Sequence, residues 1–588
     1  MPLYSLVRVN FLWEALPVRS VAKFLEMENV YTAGFKLTGV KSFDCDVLVV
    51  GGGVAGCYAA IKARERNLNV VLVDKFCSGH SYATRFATLN FLVYNPGEGV
   101  KALNCCMNAV RLKGEYLNDP EWTEIVLRES WNRYLELVSW GADFRESEDG
   151  SLFARDVPPF TTVRLGRQGV GPACRKQVEK VGVKTVDRVM ITNLLKNDGK
   201  VVGALGFSLD TGESYVFKAK ATVLATGLCS FYMRSSGNGD ALAYEAGASI
   251  TSREFVFVWP WHGPELDMSL ATARCVYMKF LDGESRPVKH NPREEIIDLS
   301  LELLVHAGKA PIYWDLDSAT SEDVARMEKR MLTHVGYKGF NPGQGGKIRM
   351  YGGHWMFLNG MGGVWLTGKD CSTEIPGLYA AGDCAGTRTV GAYHTVSGFG
   401  LASAAVTGAR AGVGAAEYAL KADEPDIDKE ELTNLNEALY LPVKRSSGFD
   451  PRWVIQIINS LMTPYYVYAV KRKDRLKAAL TFIEFIREEV VPKTCAKNWH
   501  ELWLVYEIRN MVLNVEIFLN CSLFRTESRG MHFREDYPRR VDPDWLAWVM
   551  LKNDGCRMKL WKKPIPRKWQ PDLSVPYEER YPRKFQQE

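Results

Sequence analysis

The residue best placed for chemistry in this 588-residue chain is His394, within GAYHTVSGFG at 391–400. An imidazole on a glycine-rich turn can donate to an oxyanion or carry a proton near neutral pH. Trp259, in FVFVWPWHG at 255–263, offers an indole that could stack on a flat ring, or could simply fill a core. Arg274 and Arg293 could each neutralise an anion through a two-pronged guanidinium, although surface arginines are common. His354, in YGGHWMF, stands on a second glycine-rich stretch. His80, in SGHSYATRFATLN at 78–90, follows closely on a nucleotide-binding turn. It could be bonded to a cofactor, lie beside one, or form a piece of the wall.

Metal chemistry finds little support. The 13 cysteines include no CxxC pair, and the adjacent Cys105 and Cys106 suit neither zinc nor an iron–sulfur cluster. No metal site is expected, and the thiols read as reduced, in a cytoplasmic protein. If electrons pass through iron–sulfur clusters, those belong to another chain. Hydrophobic residues at 46% and charged residues at 24% are ordinary for a globular protein, and a net charge of +5 demands no nucleic acid. The basic, aromatic stretch from Lys552 to Lys584 lacks a recognition fold and reads as a solvated or partner-covering tail. No apolar run reaches the roughly 18 residues that span a bilayer. Arg8, Glu14, Pro17 and Arg19 break up the first 26 residues, a poor signal peptide, and Met27 could be the true start.

These side chains need a scaffold, and the clearest piece lies at 44–75. DCDVLVVGGGVAGCYAAIKARERNLNVVLVDK reads as strand, tight turn, helix, strand. Gly51 permits the turn, Gly53 lets backbone approach a pyrophosphate, and Gly56 lets helix pack on strand. Val54 and Ala55 open a helix whose positive end faces the phosphates. Asp74, about 20 residues on, stands where a carboxylate holds ribose hydroxyls, with Lys75 beside it. Dinucleotide binding follows.

STEIPGLYAAGDCAG at 372–386 is similar to the late segment by which two-domain flavoproteins return the chain to FAD. The resemblance implies FAD rather than NAD, with Gly382 and Asp383 at the ribitol chain. KAKATVLATG at 218–227 resembles the strand and turn before the chain leaves an FAD domain, adding Ala225, Thr226 and Gly227. Asp240, in SGNGDALAYEAGA, precedes a small-residue helix. The expected fold is α/β, a two-dinucleotide-segment FAD-binding fold of Rossmann-like βαβ type. It carries an inserted α+β capping domain and a C-terminal helical domain. The expected organisation begins with an N-terminal extension (1–43) and the first segment of the FAD domain (44–250). The cap (251–350), the second FAD-domain segment (351–425), the helical domain (426–550) and a tail (551–588) follow.

In this order, and with TESRGMHFREDYP at 526–538, the chain resembles the fumarate reductase and succinate dehydrogenase flavoprotein superfamily, from about residue 44 to about 550. That group includes the α subunit of adenylylsulfate reductase. Three dicarboxylate contacts of the succinate and fumarate enzymes are replaced here by Trp259, Leu358 and Thr395. Each charge-assisted contact is worth on the order of 1.5–3 kcal/mol, so the usual dicarboxylate binding is not expected. LDGESRPV resembles the family's arginine loop and nominates Arg286, with Ser285 inserted. The adenylylsulfate reductase α subunit resembles the chain at Cys57, at Ser78–Gly79, at Asn90, and at His394 before Ser397–Gly398. It also nominates Arg293, and it suits Trp259 lying beside the flavin.

The resemblance implies the flavoprotein of a complex, an FAD-dependent oxidoreductase acting on a small anionic substrate, with an iron–sulfur, ferredoxin-like partner. Sulfur-oxyanion chemistry of the adenylylsulfate reductase kind leads. Reduction of an unsaturated carboxylic acid, or a non-catalytic electron relay, are the alternatives. His80 stands where succinate and fumarate enzymes bond FAD to histidine, so a covalent link is possible.

Overall fold

A computed structural model describes residues 40–80, 84, 90–145, 152–154, 158–166, 168–230, 235–258, 277–289, 297–334, 341–350, 355–356, 361–394, 396–555 and 557–581, and the backbone of 30–32 and 35–37, with side chains left out at 257–258, 297–298, 330, 332–334 and 355–356. Its centre is a seven-stranded sheet ordered Val189–Asn197, Lys200–Ser208, Ser214–Leu224, Val40–Val50, Val70–Asp74, Lys184–Asp187, with Leu378–Ala380 added to Ser214–Leu224. From Ser214–Leu224 to Lys184–Asp187 the pairings are parallel; Val189–Asn197 and Lys200–Ser208 join antiparallel. The apolar runs explain the parallel strands. Val47–Val50 and Val70–Asp74 are buried throughout, as strands covered on both faces must be.

The helices Val54–Arg64 and Phe399–Ala419 pack on each other with their backbones in contact. A Cβ on Gly408 would lie 2.3 Å from the Ala55 carbonyl, and one on Gly412 2.3 Å from that of Ala59. Small residues on both helices thus let the middle of Phe399–Ala419 lie against Val54–Arg64, the helix that follows the cofactor turn.

A five-stranded sheet runs Ala385–Gly386, Gly363–Trp365, Ile250–Thr251, Ala547–Asn553, Met558–Pro564. Ile250–Thr251 and Gly363–Trp365 pair antiparallel, so the chain leaves and returns side by side. Between them lie a three-stranded sheet (Phe280–Leu281, Ile312–Asp315, Lys347–Met350) and the helices Ile297–His306 and Ser321–His334. This insertion has its own core, including Trp314, Met327 and Leu301. Within the segment expected as a tail, Met558–Pro564 forms an edge strand, held because Leu560 and Trp561 pack against the main core.

The C-terminal helices include Pro451–Met462, Lys473–Phe485 and Trp499–Phe524. TESRGMHFREDYP follows as a buried ionic network. Arg525 bonds Glu254 at 2.7 Å and Glu527 at 2.8 Å, while Arg529 bonds Glu527 at 2.8 Å and Asp542 at 2.6 Å. Buried charges stand only when partnered, so this motif fastens the residue just before the 255–258 stretch to the C-terminal region. Among the described residues no helix is long and apolar enough to cross a membrane.

Candidate active site and cofactor cradle

The C-terminal ends of the parallel strands converge on one edge, where open α/β sheets bind ligands. Gly51 follows Val50 with φ +104°, and a Cβ there would lie 2.4 Å from the Ala225 carbonyl. A Cβ on Gly56 would lie 1.7 Å from the Gly51 carbonyl oxygen. Only glycine fits either place. Gly53 caps Val54–Arg64 with no side-chain bond, although the Val54 N–H reaches Thr84 Oγ1 at 3.3 Å. A glycine turn at a positive helix end suits a pyrophosphate, so the residues present fit a dinucleotide.

Asp74 stands at the expected strand end, but its carboxylate turns back onto the turn. It accepts from the Gly52 N–H and the Phe76 N–H, each at 2.6 Å. Burial raises its pKa, and those two bonds pull the other way. Lys75 donates to Glu507 at 2.9 Å, on the helix Trp499–Phe524. Ser78 is fully buried and donates to Asp187 through N–H (2.9 Å) and hydroxyl (2.5 Å). The Gly79 N–H reaches the Gly52 carbonyl at 2.7 Å. Asp187 also takes Arg175 at 2.7 Å. Burial pushes Asp187 up, but the Ser78 and Arg175 bonds more than offset it and leave it below the usual carboxylate range. His80 ends this turn, its N–H on the Cys77 carbonyl at 3.0 Å and its side chain exposed.

Ala225, Thr226 and Gly227 follow the neighbouring strand. Thr226 accepts from the Gly239 N–H at 3.0 Å, which brings Asp240 alongside. Asp240 is occupied: Arg253 meets both its oxygens at 2.5 Å, with both side chains buried. Burial pushes the Asp240 carboxyl up against the pull of Arg253. Gly382, at φ +69°, donates its N–H to Thr407 Oγ1 at 2.9 Å. A Cβ on it would press Ala55 at 2.8 Å, so the turn that carries Asp383 lies against the start of the first helix.

A second cluster surrounds the start of Phe399–Ala419, a helix capped by Gly398 at φ +93° without any side-chain bond. Gly398 accepts from the Leu92 N–H at 3.2 Å, and its Cβ position lies 2.9 Å from the Asn90 carbonyl. The Cβ position of Gly400 lies 3.7 Å from His394 Nε2 and 4.0 Å from Asp383 Oδ1. Asn90, Asp383, His394 and Gly398 therefore meet at one helix end, next to Ser397. Asn90 Oδ1 is buried without a hydrogen-bond partner. Burial lowers the His394 pKa to about 4, so its imidazole is neutral at pH 7.

Arg286 is not brought to this cluster. It is 52% exposed on a turn of the insertion, paired with Asp282 at 2.9 Å and with Glu284. Trp259, Arg274, Arg293, His354, Leu358 and Thr395 lie outside the described residues. Sequence reasoning missed Thr84, Asp187, Arg253, Thr407 and Glu507.

The sheet, the glycine cradle and the inserted unit define a flavoprotein of the two-segment FAD-binding class. A model described as an FAD binding domain matches residues 46–276, and one described as fumarate reductase flavoprotein C-term matches 458–580. The chain is 27% identical, over 87% of its length and 97% of the relative's, to a fumarate reductase (CoM/CoB) subunit of Methanothermobacter marburgensis. In fold it is similar to Mycobacterium smegmatis Sdh1 in complex with UQ1 (TM-score 0.78, 23% identity, 92% and 98% covered). It is also similar to adenylylsulfate reductase of Archaeoglobus fulgidus (TM-score 0.77, 21% identity, 93% and 99% covered). The chain thus carries an FAD binding domain and a fumarate reductase flavoprotein C-terminal domain, is similar over most of its length to fumarate reductase and succinate dehydrogenase flavoproteins, and is an FAD-dependent oxidoreductase.

Proposed function

We propose that this chain is the catalytic flavoprotein of a redox reaction on a small anion of the sulfur-oxyanion class, exchanging electrons with a separate iron–sulfur protein. The observation that carries the reading is the meeting of Asn90, Asp383 and His394 at the uncapped start of Phe399–Ala419. A helix start offers N–H groups and the positive end of a dipole to an anion. Asn90 adds an amide whose N–H group can donate to an anion, while its partnerless oxygen can only accept. The neutral imidazole of His394 can donate to an oxyanion or accept its proton. FAD, when bound, supplies two-electron chemistry, and the glycine turn and Asp383 orient it, with Ser78 and Asp187 bracing the turn behind them. The partner is proposed because the cysteines of this chain lack cluster spacing.

Reduction of an unsaturated carboxylic acid is the second reading, favoured by the likeness to the Methanothermobacter marburgensis protein. The exposed place of Arg286 does not help it.

Anaerobic photoreduction of the flavin, followed by mixing with candidate acceptors, separates the readings. Reoxidation by adenylylsulfate, with sulfite plus AMP reducing the oxidised flavin in reverse, supports the first. Reoxidation by fumarate or a substituted fumarate instead selects the second. A flavin that responds to a ferredoxin-like protein and to no small acceptor is an electron relay and overturns both.

A further inference from the structure

The long helix Trp499–Phe524 belongs to the C-terminal region, yet three of its polar side chains end on segments that frame the dinucleotide cradle. Glu507, 4% exposed, receives Lys75 Nζ at 2.9 Å and Trp503 Nε1 at 3.1 Å on the same oxygen. Trp503 also meets Phe76 edge-on, with ring centroids 5.7 Å apart. Lys75 and Phe76 follow directly on Asp74, whose carboxylate holds the glycine turn. One turn further along, Asn510 donates to Ser236 Oγ at 3.2 Å. Asn514 donates to the carbonyls of Ser236 and Gly237 at 3.1 Å each. Gly237 caps the helix Asn238–Glu245, whose Gly239 N–H bonds Thr226. A Cβ on Gly237 would lie 2.6 Å from Asn514 Nδ2, so this contact is backbone-close. Asn514 Oδ1 remains buried without a partner, in a side chain 1% exposed.

We propose that Glu507 is a cofactor-positioning residue. By holding Lys75 it makes the C-terminal helix a wall of the FAD site, so FAD retention and docking of that helix stabilise each other. This rests on FAD being the cofactor. The spacing 507, 510, 514 puts the three side chains on one helix face. That face spans both walls of the cradle, the end of Val70–Asp74 and the segment before Asn238–Glu245. Lys75 is long and flexible, and a charge-assisted bond to a buried carboxylate removes most of that freedom. A ligand that binds only the arrangement with the helix docked must stabilise that docking by linkage.

The test uses the full-length holoprotein and the FAD release rate, read as recovery of free-flavin fluorescence on dilution. Glu507→Gln and Lys75→Met are each expected to release FAD about tenfold to a hundredfold faster, the fold-change of one charge-assisted bond. In the Lys75→Met background, Glu507→Gln is expected to add nothing, because it acts through Lys75. The gap between holo- and apoprotein melting temperatures should shrink in the variants, whereas a purely structural role lowers both by the same amount. Glu507→Asp, which keeps the charge, should recover some of the retention and covers the case of a variant that misfolds. Wild-type release rates, additive effects in the double variant, or an unchanged holo–apo gap would overturn the proposal. Wild-type protein purified without any FAD would instead overturn the cofactor reading beneath it.

Discussion

Replacing His394 by glutamine should remove a pH dependence that the burial of its ring imposes on stability. The folded-state pKa is about 4, against 6.5 for an ordinary histidine, and the cause is burial. The sign follows from linkage. Because the folded value is depressed, the unfolded chain takes up the proton first, and stability falls as pH drops from about 6.5 toward 4. A shift of about 2.5 units corresponds to about 3.4 kcal/mol at about 1.4 kcal/mol per unit. The ring keeps some accessible area, so screening reduces the expectation to about 2–3 kcal/mol. The assay is urea unfolding of apoprotein between pH 4.5 and 7.5, wild type against His394→Gln. Other titrating groups, His532 among them, occur in both proteins and cancel in the difference. That difference should be constant above about pH 7 and should move by about 2–3 kcal/mol toward acid, with the wild type losing more. Parallel curves across the whole range would refute the buried, neutral imidazole. So would a kinetic limb near pH 6.5 that disappears in His394→Gln, because a group with a pKa of about 4 cannot produce it.

Other substitutions probe the frame. Gly56→Ala drives a Cβ to 1.7 Å from the Gly51 carbonyl, so the purified variant should lack flavin absorbance; wild-type flavin content would contradict the close approach. Arg253→Met leaves Asp240 buried without its partner, at a cost of about 3–5 kcal/mol, and should lower the melting temperature by several degrees. An unchanged melting curve would show the pair to be dispensable. Acid precipitation examines His80: flavin that stays with the wild-type pellet and leaves with His80→Ala is a histidyl link, while flavin in the supernatant makes His80 a neighbour.

The cofactor turn was legible because its instructions are local. A strand, three glycines, a helix and a second strand follow within 32 residues, and Gly51 and Gly56 each meet a steric limit their neighbours create. The late segment around Gly382 was legible through its resemblance to the returning segment of two-domain flavoproteins. Asp74 shows where such reading stops: the position was foreseen, but the two backbone N–H groups it accepts from were not. Arg286 was nominated by a motif match, and that match did not announce that two acids of its own turn pair with its guanidinium.

The sequence by itself determined the parallel sheet and the glycine cradle, since apolar runs and steric exceptions act over a few residues, and its motifs carried the superfamily resemblance. Some charge pairs are local, as Arg286 with Asp282 and Glu284, but tertiary structure alone decided the distant partners of charge. Asp187 meets Ser78 across 109 positions, Glu507 meets Lys75 across 432, and Arg525 meets Glu254 across 271. Nothing in a carboxylate's neighbours along the chain names its cation. Burying a charge is tolerable only with a partner at bonding distance, and which partner arrives depends on how the strands and helices have already packed.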